Sequence, residues 1–279
     1  MRLIRALNKN KIKILVVYHK KDNLFKSCMF VPIHAGRAIA KEKSKDGIIS
    51  EDEYNWLVKN TIGDDTGDNI SSKNRELNEL TAIYWAWKNY DKLGNPDYIG
   101  LNHYRRFFKA DYNNLKNLLK EYYFIKMDFF LNKKESLYES WKNCNKDWTD
   151  NEYLDNALKS CNELQGNNEI EKYFKNNTES DGLCNMFILP KEEFFKYCEF
   201  LFGLVFRLPE KQGLRTTGMF AERLSSYYFV TLSKTKKCLT LPICKEPVSH
   251  SYKEKLRNKI SETKNKFSKL KFLLKWYNS

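Results

Sequence analysis

The chain has 279 residues, enough for one large or two small domains that bury a hydrophobic core. Its 30% charged and 15% aromatic residues exclude an intrinsically disordered protein. The formal net charge of +14 favours an anionic partner, but charge alone does not choose among a nucleotide, a nucleic acid and an anionic membrane surface.

The cysteines and the hydropathy pattern indicate an intracellular protein. Seven scattered cysteines form neither a CxxC pair nor a metal-ligand spacing, so they predict reduced thiols in the cytosol. The chain contains no apolar run of about 18 residues, so we expect no membrane-spanning helix. Its beginning lacks the apolar core of a signal peptide.

The first predicted elements form one side of a parallel sheet. Residues 12–19 are an apolar run that predicts a central strand, which places His19 and Lys20 at its ligand-side end. An ordinary polar strand end is an equally good interpretation of these two residues. Residues 31–37 predict an edge strand or loop, and residues 41–62 predict irregular, solvated chain.

A loop, a helix and a strand follow over residues 63–108. Residues 63–68 are acidic and rich in turn formers, and Asn69 or Ser72 is placed to cap the helix that follows. After a Gly-Asn-Pro turn, residues 97–101 predict a short buried strand.

The residues after this strand predict the active site. His103, Arg105 and Arg106 follow its carboxyl end, which is where open α/β sheets bind ligands. Two guanidiniums and an imidazole can bind a diphosphate without an obligatory metal. The alternative is that both arginines form structural ion pairs with the carboxylates of residues 63–68.

The second half of the chain predicts further α/β elements. We expect helices over 111–120, 192–208 and 216–232, strands over 124–130, 181–190 and 238–248, and a polar helical region over 138–173. The predicted buried side chains of that helical region are Trp141, Trp148, Tyr153, Leu154 and Leu158.

The last 28 residues predict a basic amphipathic helix. Residues 252–279 carry nine Lys or Arg against two Glu, a net +7, together with an apolar side. This pattern is typical of a membrane-surface anchor. The alternative is a solvated helix packed on the protein body.

Several common catalytic motifs are missing from the sequence. It has no P-loop, no GxGxxG segment, no nucleophile elbow and no zinc-peptidase motif. The acidic run at 64–68 begins like a calcium loop but lacks the glutamate that would complete it. HYRRFFK, at 103–109, is too short a mixture of basic and aromatic residues to favour nucleic-acid binding.

Six ordered motifs carry a resemblance to a known family. They are PIHAGRA (32–38), GDDTGDNISSKN (63–74), ELTAIYWAWKN (79–89), YIGLNHYRRFF (98–108), CNMFILPKEEFFKYCEFLF (184–202) and GMFAERL (218–224). Together they resemble a bacterial family long catalogued as a domain of unknown function, found among capsule, O-antigen and lipooligosaccharide glycosyltransferases and including galactofuranosyltransferases. The resemblance covers about residues 12–235.

The resemblance implies a fold and an activity. The fold is α/β, a single Rossmann-like nucleotide-sugar transferase domain over 1–250, with a mixed, mostly parallel sheet, a helical insertion at about 136–176 and the basic tail from 251. The activity is hexosyl transfer from a nucleotide sugar, with UDP-galactofuranose as first choice, to a lipid-linked or lipid A-core glycan. The protein would be cytoplasmic and peripheral on the inner face of the cell membrane.

The resemblance also implies roles for individual residues. His19 and Lys20 would border the nucleobase and ribose, and His103, Arg105 and Arg106 would contact the diphosphate. The donor sugar and phosphates would face Asp68, Asn69, Lys73, Asn74 and Glu79, with Asn185 beneath the sugar.

Glu222 is the candidate general base of an inverting displacement, and Asp181 is the reserve. Helix capping or an ion pair with Arg223 is the structural alternative for Glu222. No cofactor is expected to be obligatory, although Mg²⁺ or Mn²⁺ would be compatible with the donor. The chain departs from the family at residues 75–78 and in the tail, which affects sugar identity more than reaction class.

A second class of function stays open. A degenerate transferase fold that binds carbohydrate or anionic lipid without catalysis would have the same motifs.

Overall fold

The computed structural model describes residues 11–44, 47–128, 135–144, 150–176, 183–209 and 215–247. The β-strands of this part are β1 (Ile12–Tyr18), β2 (Phe30–His34), β3 (Ile62–Gly63), β4 (Tyr98–His103), β5 (Phe107–Phe108), β6 (Phe124–Met127), β7 (Phe187–Pro190), β8 (Cys238–Leu241) and β9 (Ile243–Cys244). The α-helices are α1 (Glu51–Asn60), α2 (Asn74–Leu77), α3 (Leu80–Lys88), α4 (Leu115–Glu121), α5 (Leu137–Asn143), α6 (Asn151–Gln165), α7 (Glu169–Asn176), α8 (Lys191–Val205) and α9 (Thr216–Ser233).

Seven of the strands form one mixed, mostly parallel sheet in the order β3-β2-β1-β4-β7-β6-β8. Strand β7 is antiparallel to both neighbours, β4 and β6, whereas the other pairings are parallel. The predicted α/β fold with a mixed, mostly parallel sheet is therefore confirmed. A second sheet joins β5 to β9.

Both faces of the sheet are buried. Along β1, Leu15 and Val17 belong to one hydrophobic cluster, while Ile14 and Val16 belong to the other. The first cluster packs α3, α8 and α9 against the sheet, and the second packs α1 and α4. This double burial explains why β1 is apolar at nearly every position rather than alternately.

Helix α1 corrects the prediction of irregular chain over 41–62. The hydroxyl of Ser50 accepts the N–H of Glu53 at 3.2 Å, and three acidic side chains occupy the first turn, where they oppose the helix dipole favourably. Leu57 is its fully buried residue. One buried side chain in a strongly polar segment gives little hydrophobic periodicity, so sequence pattern alone missed the helix.

The helices α5, α6 and α7 cover the predicted helical region. Trp141, Tyr153, Leu154 and Leu158 are buried as predicted, whereas Trp148 lies outside the described residues. Trp141 and Tyr153 both meet the ring of Phe220 of α9 edge-on, with centroids 6.2 Å apart. The region therefore packs directly on the helix that carries Glu222.

Two predicted features cannot be located. Asp181 and the basic tail over 252–279 lie outside the described residues. Among the described helices, none combines the length and apolarity needed to cross a lipid bilayer.

Candidate active site

Pairing of β1 with β4 places two predicted segments at one edge of the sheet. Val17 is in register with His103, so the carboxyl ends of both strands lie side by side. The N–H of Tyr104 donates to the carbonyl of Val17 at 3.1 Å, and the ring of Tyr104 lies 5.2 Å from that of His19. The segment after β1 and the HYRR turn after β4 are therefore neighbours, as expected for strand ends of a parallel sheet.

A cavity of about 550 Å³ opens at this edge. Seven of the predicted site residues line it: His19, Asn74, Glu79, His103, Arg105, Arg106 and Glu222. The strand ends and the helices α2 and α9 meet there, so the cavity combines a cationic turn with two carboxylates. A size of a few hundred Å³ is ordinary for a small-molecule site.

Five other predicted residues do not line this cavity. Asp68 is exposed and accepts the Tyr84 hydroxyl at 3.1 Å, while Lys73 is exposed, with its ammonium 5.7 Å from the centre of the Phe206 ring. Asn69 accepts the N–H of Ser71, and Lys20 lies on the loop after β1. These four residues do not line the cavity, and their contacts with the donor stay predictions.

Asn185, the fifth, is completely buried and supports the cavity from behind. Its Nδ2 donates to Oε1 of Glu79 at 2.8 Å, and its Oδ1 accepts the hydroxyl of Ser225 at 2.7 Å. Asn185 therefore holds Glu79 in place, and its position beneath the donor sugar stays a prediction.

Cys184 and Asn185 form a left-handed turn that connects both glutamates to the HYRR segment. Their φ angles are 67° and 52°, a conformation that non-glycine residues rarely adopt. Nε2 of His103 lies 2.8 Å from the carbonyl oxygen of Cys184. Because a carbonyl oxygen can only accept a hydrogen bond, Nε2 is the nitrogen that carries the proton. The N–H of Cys184 donates to Oε2 of Glu222 at 3.3 Å.

Glu222 has an environment that suits acid–base chemistry near neutral pH. Burial raises its pKa to about 7, and the nearby Glu79 carboxylate adds to the increase. The charges of Arg223 and Arg106 and the N–H of Cys184 oppose the shift. A carboxyl group with this pKa exchanges its proton readily at physiological pH.

The structural alternatives for Glu222 do not hold. Glu222 is the seventh residue of α9 and lies in its second turn, so it does not cap the helix. Arg223 instead donates to the carbonyl of Met219 at 3.0 Å and lies 5.0 Å over the Trp141 ring. Among the described residues, it forms no ion pair with Glu222.

The acidic loop over 63–68 has a structural role. The buried carboxylate of Asp64 accepts the N–H groups of Gly36 and Arg37, at 2.8 and 3.1 Å, and the hydroxyl of Ser71. Arg105 pairs with Asp22 instead, with 2.6 Å from Nη2 to Oδ2. The alternative that the HYRR arginines pair with the 63–68 carboxylates is therefore wrong.

The cavity wall carries two carboxylates. Its acidic groups are Glu79 and Glu222, which are held by different neighbours. In the part of the chain that the structure describes, no three His, Cys, Asp or Glu side chains come together as a metal site.

Sequence reasoning missed three polar residues of the cavity wall: Asn78, Cys184 and Arg215. Arg215 directly precedes α9, two turns before Glu222, and its position next to a helix that carries a predicted catalytic residue was the available signal. Cys184 and Asn78 adopt positive φ angles, which no side-chain pattern announces.

The sheet order and the cavity at its carboxyl edge define a doubly covered α/β protein with a mixed, mostly parallel sheet. A family model described as a domain of unknown function, DUF4422, matches residues 13–234, so the chain belongs to this family. No protein with a curated description matches the sequence.

Among solved structures, the apo form of WbbM, a bifunctional glycosyltransferase, shares the fold with a TM-score of 0.64 and 23% sequence identity. The match covers 86% of this chain and 46% of the WbbM chain. The chain thus spans less than half of the length of WbbM.

Proposed function

We propose that the protein is a glycosyltransferase that moves a hexosyl group from a nucleotide-sugar donor to a glycan acceptor. The observation that carries the proposal is that Glu222 and arginine side chains line the same cavity. A carboxyl group whose pKa is raised by burial to about 7 and three guanidiniums line one cavity at the carboxyl edge of the sheet. The fold shared with WbbM and the resemblance of the HYRR motif to surface-glycan transferases support the same conclusion.

The proposed reaction is an inverting displacement in which each group has a defined task. Ionised Glu222 accepts the proton of the acceptor hydroxyl while that oxygen forms its bond to the anomeric carbon. The bond between the anomeric carbon and the diphosphate oxygen breaks, and its electron pair leaves with the nucleoside diphosphate. Guanidiniums stabilise the charge of this leaving group, which a divalent cation does in metal-dependent enzymes.

The substrates are proposed from the family resemblance. UDP-galactofuranose is the first donor to test, and the acceptor is a lipid-linked or lipid A-core surface glycan. The location is the inner face of the cell membrane, with the basic residues over 252–279 attracted to anionic lipids. Nucleic acid is not a proposed partner.

The test is release of nucleoside diphosphate by the full chain incubated with UDP-galactofuranose and other UDP-sugars, with and without acceptor glycolipids. We expect UDP release that depends on the acceptor and persists in EDTA. Loss of all turnover in EDTA, restored by Mn²⁺, would overturn the metal-free mechanism but keep the transferase.

The second candidate, a non-catalytic carbohydrate- or lipid-binding module, predicts binding without turnover. A thermal-shift panel of nucleotides separates the two, since a ligand that binds only the folded state raises the melting temperature. Stabilisation by UDP over ADP and GDP together with UDP release supports the enzyme. Binding of glycans with no release from any nucleotide sugar supports the module.

A further inference from the structure

Three arginines line the cavity, and their surroundings differ. Arg105 and Arg106 lie on the turn after β4, whereas Arg215 directly precedes α9. All three side chains are exposed, so each is accessible to a ligand. Their existing partners decide which of them is available to bind one.

Arg105 is already paired with a carboxylate. Its Nε donates to Oδ2 of Asp22 at 2.7 Å, and Nη2 lies 2.6 Å from the same oxygen. Burial opposes ionisation of Asp22, but the N–H of Asn23 and the Arg105 guanidinium outweigh it and lower the pKa of that carboxyl. Asp22 is therefore charged at neutral pH, and its carboxylate already compensates the charge of the Arg105 guanidinium.

Among the described residues, Arg106 forms no ion pair with a carboxylate. Its Nη1 donates to Sγ of Cys184 at 3.2 Å, and no carboxylate lies within ion-pair distance among the described residues. Burial raises the pKa of the Cys184 thiol to about 12, so the sulfur is neutral at physiological pH. The guanidinium charge is thus left uncompensated by its nearest polar contact.

Arg215 has fewer polar contacts than Arg106. Its guanidinium makes no hydrogen bond or ion pair with any other residue in the described ranges. A planar fork of donors with no protein acceptor, at the wall of a cavity, is suited to bidentate contact with phosphate oxygens. Arg106 and Arg215 reach the cavity from different elements, so together they can hold an anion between them.

From these contacts we propose that Arg106 and Arg215 form the clamp that binds the diphosphate of the donor, and that Arg105 is a positioning residue. Arg105 fastens the HYRR turn to the loop after β1 through Asp22. This assignment rests on the proposed function, and it adds Arg215 to the site while removing Arg105 from direct contact with the phosphates.

The experiment measures binding of UDP, UMP and inorganic pyrophosphate to the full chain by titration calorimetry, without acceptor. Pyrophosphate needs no assumption about the nucleobase. The variants are Arg106→Gln, Arg215→Gln, Arg105→Gln, Arg105→Lys, Asp22→Asn and the double variant that combines Arg105→Gln with Asp22→Asn. The matched control is Arg207→Gln, an exposed arginine whose Nη1 donates to the Gly203 carbonyl and which does not line the cavity.

Loss of a charge-assisted contact predicts that Arg106→Gln and Arg215→Gln each raise the dissociation constant for UDP and pyrophosphate by about tenfold or more. The same changes alter UMP binding less. Arg207→Gln leaves all three affinities unchanged, and circular dichroism establishes that each variant is folded.

The positioning role of Arg105 has its own signature. Arg105→Gln and Asp22→Asn each weaken UDP binding by a smaller factor, about threefold, and the double variant is no weaker than either one, because both remove one interaction. Arg105→Lys restores binding since it keeps the ion pair.

Each contrary outcome has a defined meaning. Wild-type UDP affinity in Arg215→Gln overturns the clamp, while the transferase stands if UDP release persists. If Arg215→Gln keeps wild-type UDP affinity but raises the KM for the acceptor, Arg215 is assigned to an acceptor phosphate instead. An Arg105→Gln loss as large as that of Arg106→Gln overturns the positioning role. Failure of the wild-type chain to bind or release UDP overturns clamp and function together.

Discussion

Glu79 and Glu222 face one cavity from different parts of the chain, and each is held by one of two consecutive residues. The N–H of Cys184 binds Glu222, and the side-chain amide of Asn185 binds Glu79. Because both holding groups belong to a single left-handed turn, the relative placement of the carboxylates depends on that turn. The negative charge of Glu79 in turn helps to keep the pKa of Glu222 high.

Replacing Glu222 by Gln should remove turnover but retain donor binding. The amide keeps the shape of the carboxylate but cannot accept a proton, and general-base catalysis typically contributes about 10²- to 10⁴-fold. We expect UDP release to fall by about that factor while the dissociation constant for UDP changes less than threefold. The matched control is Glu199→Gln, an exposed glutamate on α8. A near-normal rate in Glu222→Gln would move the base to another carboxylate, with Asp181 next to test.

The pH dependence of the rate should report the same group. A general base works when ionised, so kcat/KM should fall about tenfold per pH unit below the Glu222 pKa of about 7. The positive charge of Arg106 lowers that pKa. The acid limb should therefore move to higher pH in Arg106→Gln, whereas it should stay in place in Arg207→Gln. A flat profile between pH 5.5 and 8 would contradict the assignment.

The stability of the fold should fall as pH rises through the Glu222 pKa, whereas the rate should rise. A carboxyl whose pKa is raised from 4.5 to about 7 on folding binds its proton more tightly in the folded state. Its contribution to stability is therefore present at low pH and is lost as pH rises toward 7. At pH 8, Glu222→Gln should increase the free energy of unfolding by an amount on the order of 3 kcal/mol. The gain should shrink strongly at pH 5, and denaturant titration at both values measures it.

Replacing Gly218 by Ala should create a packing defect, and Gly203→Ala is the control. A Cβ at this position would lie 2.5 Å from Nδ2 of Asn78 and 2.9 Å from the carbonyl oxygen of Glu76. Gly218→Ala should therefore destabilise the fold by about 1–3 kcal/mol and, by displacing Asn78 from the cavity wall, weaken UDP binding. Gly203 on α8 has open space around it, so Gly203→Ala should instead stabilise by about 0.5–1 kcal/mol. Thermal melts of the two variants measure the contrast.

The basic tail makes a separate prediction. Residues 252–279 combine a net charge of +7 with apolar side chains, which favours binding to anionic lipid surfaces. Truncation after His250 should move the protein from the membrane fraction to the soluble fraction and abolish co-sedimentation with anionic vesicles. Unchanged partitioning of the truncated chain would contradict the anchor.

Sequence pattern predicted the elements that bury continuous apolar runs. β1 and β4 are central strands covered on both faces, so their residues are apolar and their positions were evident. The two-residue strands β3, β5 and β9 are too short to show periodicity, and α1 buries too little. Predictability thus followed the amount of apolar surface that each element contributes to a core.

The site was predictable in part for a related reason. His19 and the HYRR turn were each predicted at the carboxyl end of a strand, and the parallel pairing of β1 with β4 brings them together. The Arg105–Asp22 pair and the Cys184–Asn185 turn depend on loop conformation, which the residue types do not specify. Asp68 and Lys73 were assigned from motif membership, and the structure places both on the exterior.

The small sheet of β5 and β9 limits the distance between the cavity and the start of the basic tail. Phe107, one residue after Arg106, is paired with Cys244. Seven residues lie between Cys244 and the start of the basic tail at Tyr252, and the eight residue steps that join the two reach at most about 28 Å when extended. A tail resting on lipid headgroups would act as a short tether that keeps the arginine turn within a few nanometres of the bilayer, close enough for a lipid-borne acceptor to be presented without leaving the membrane.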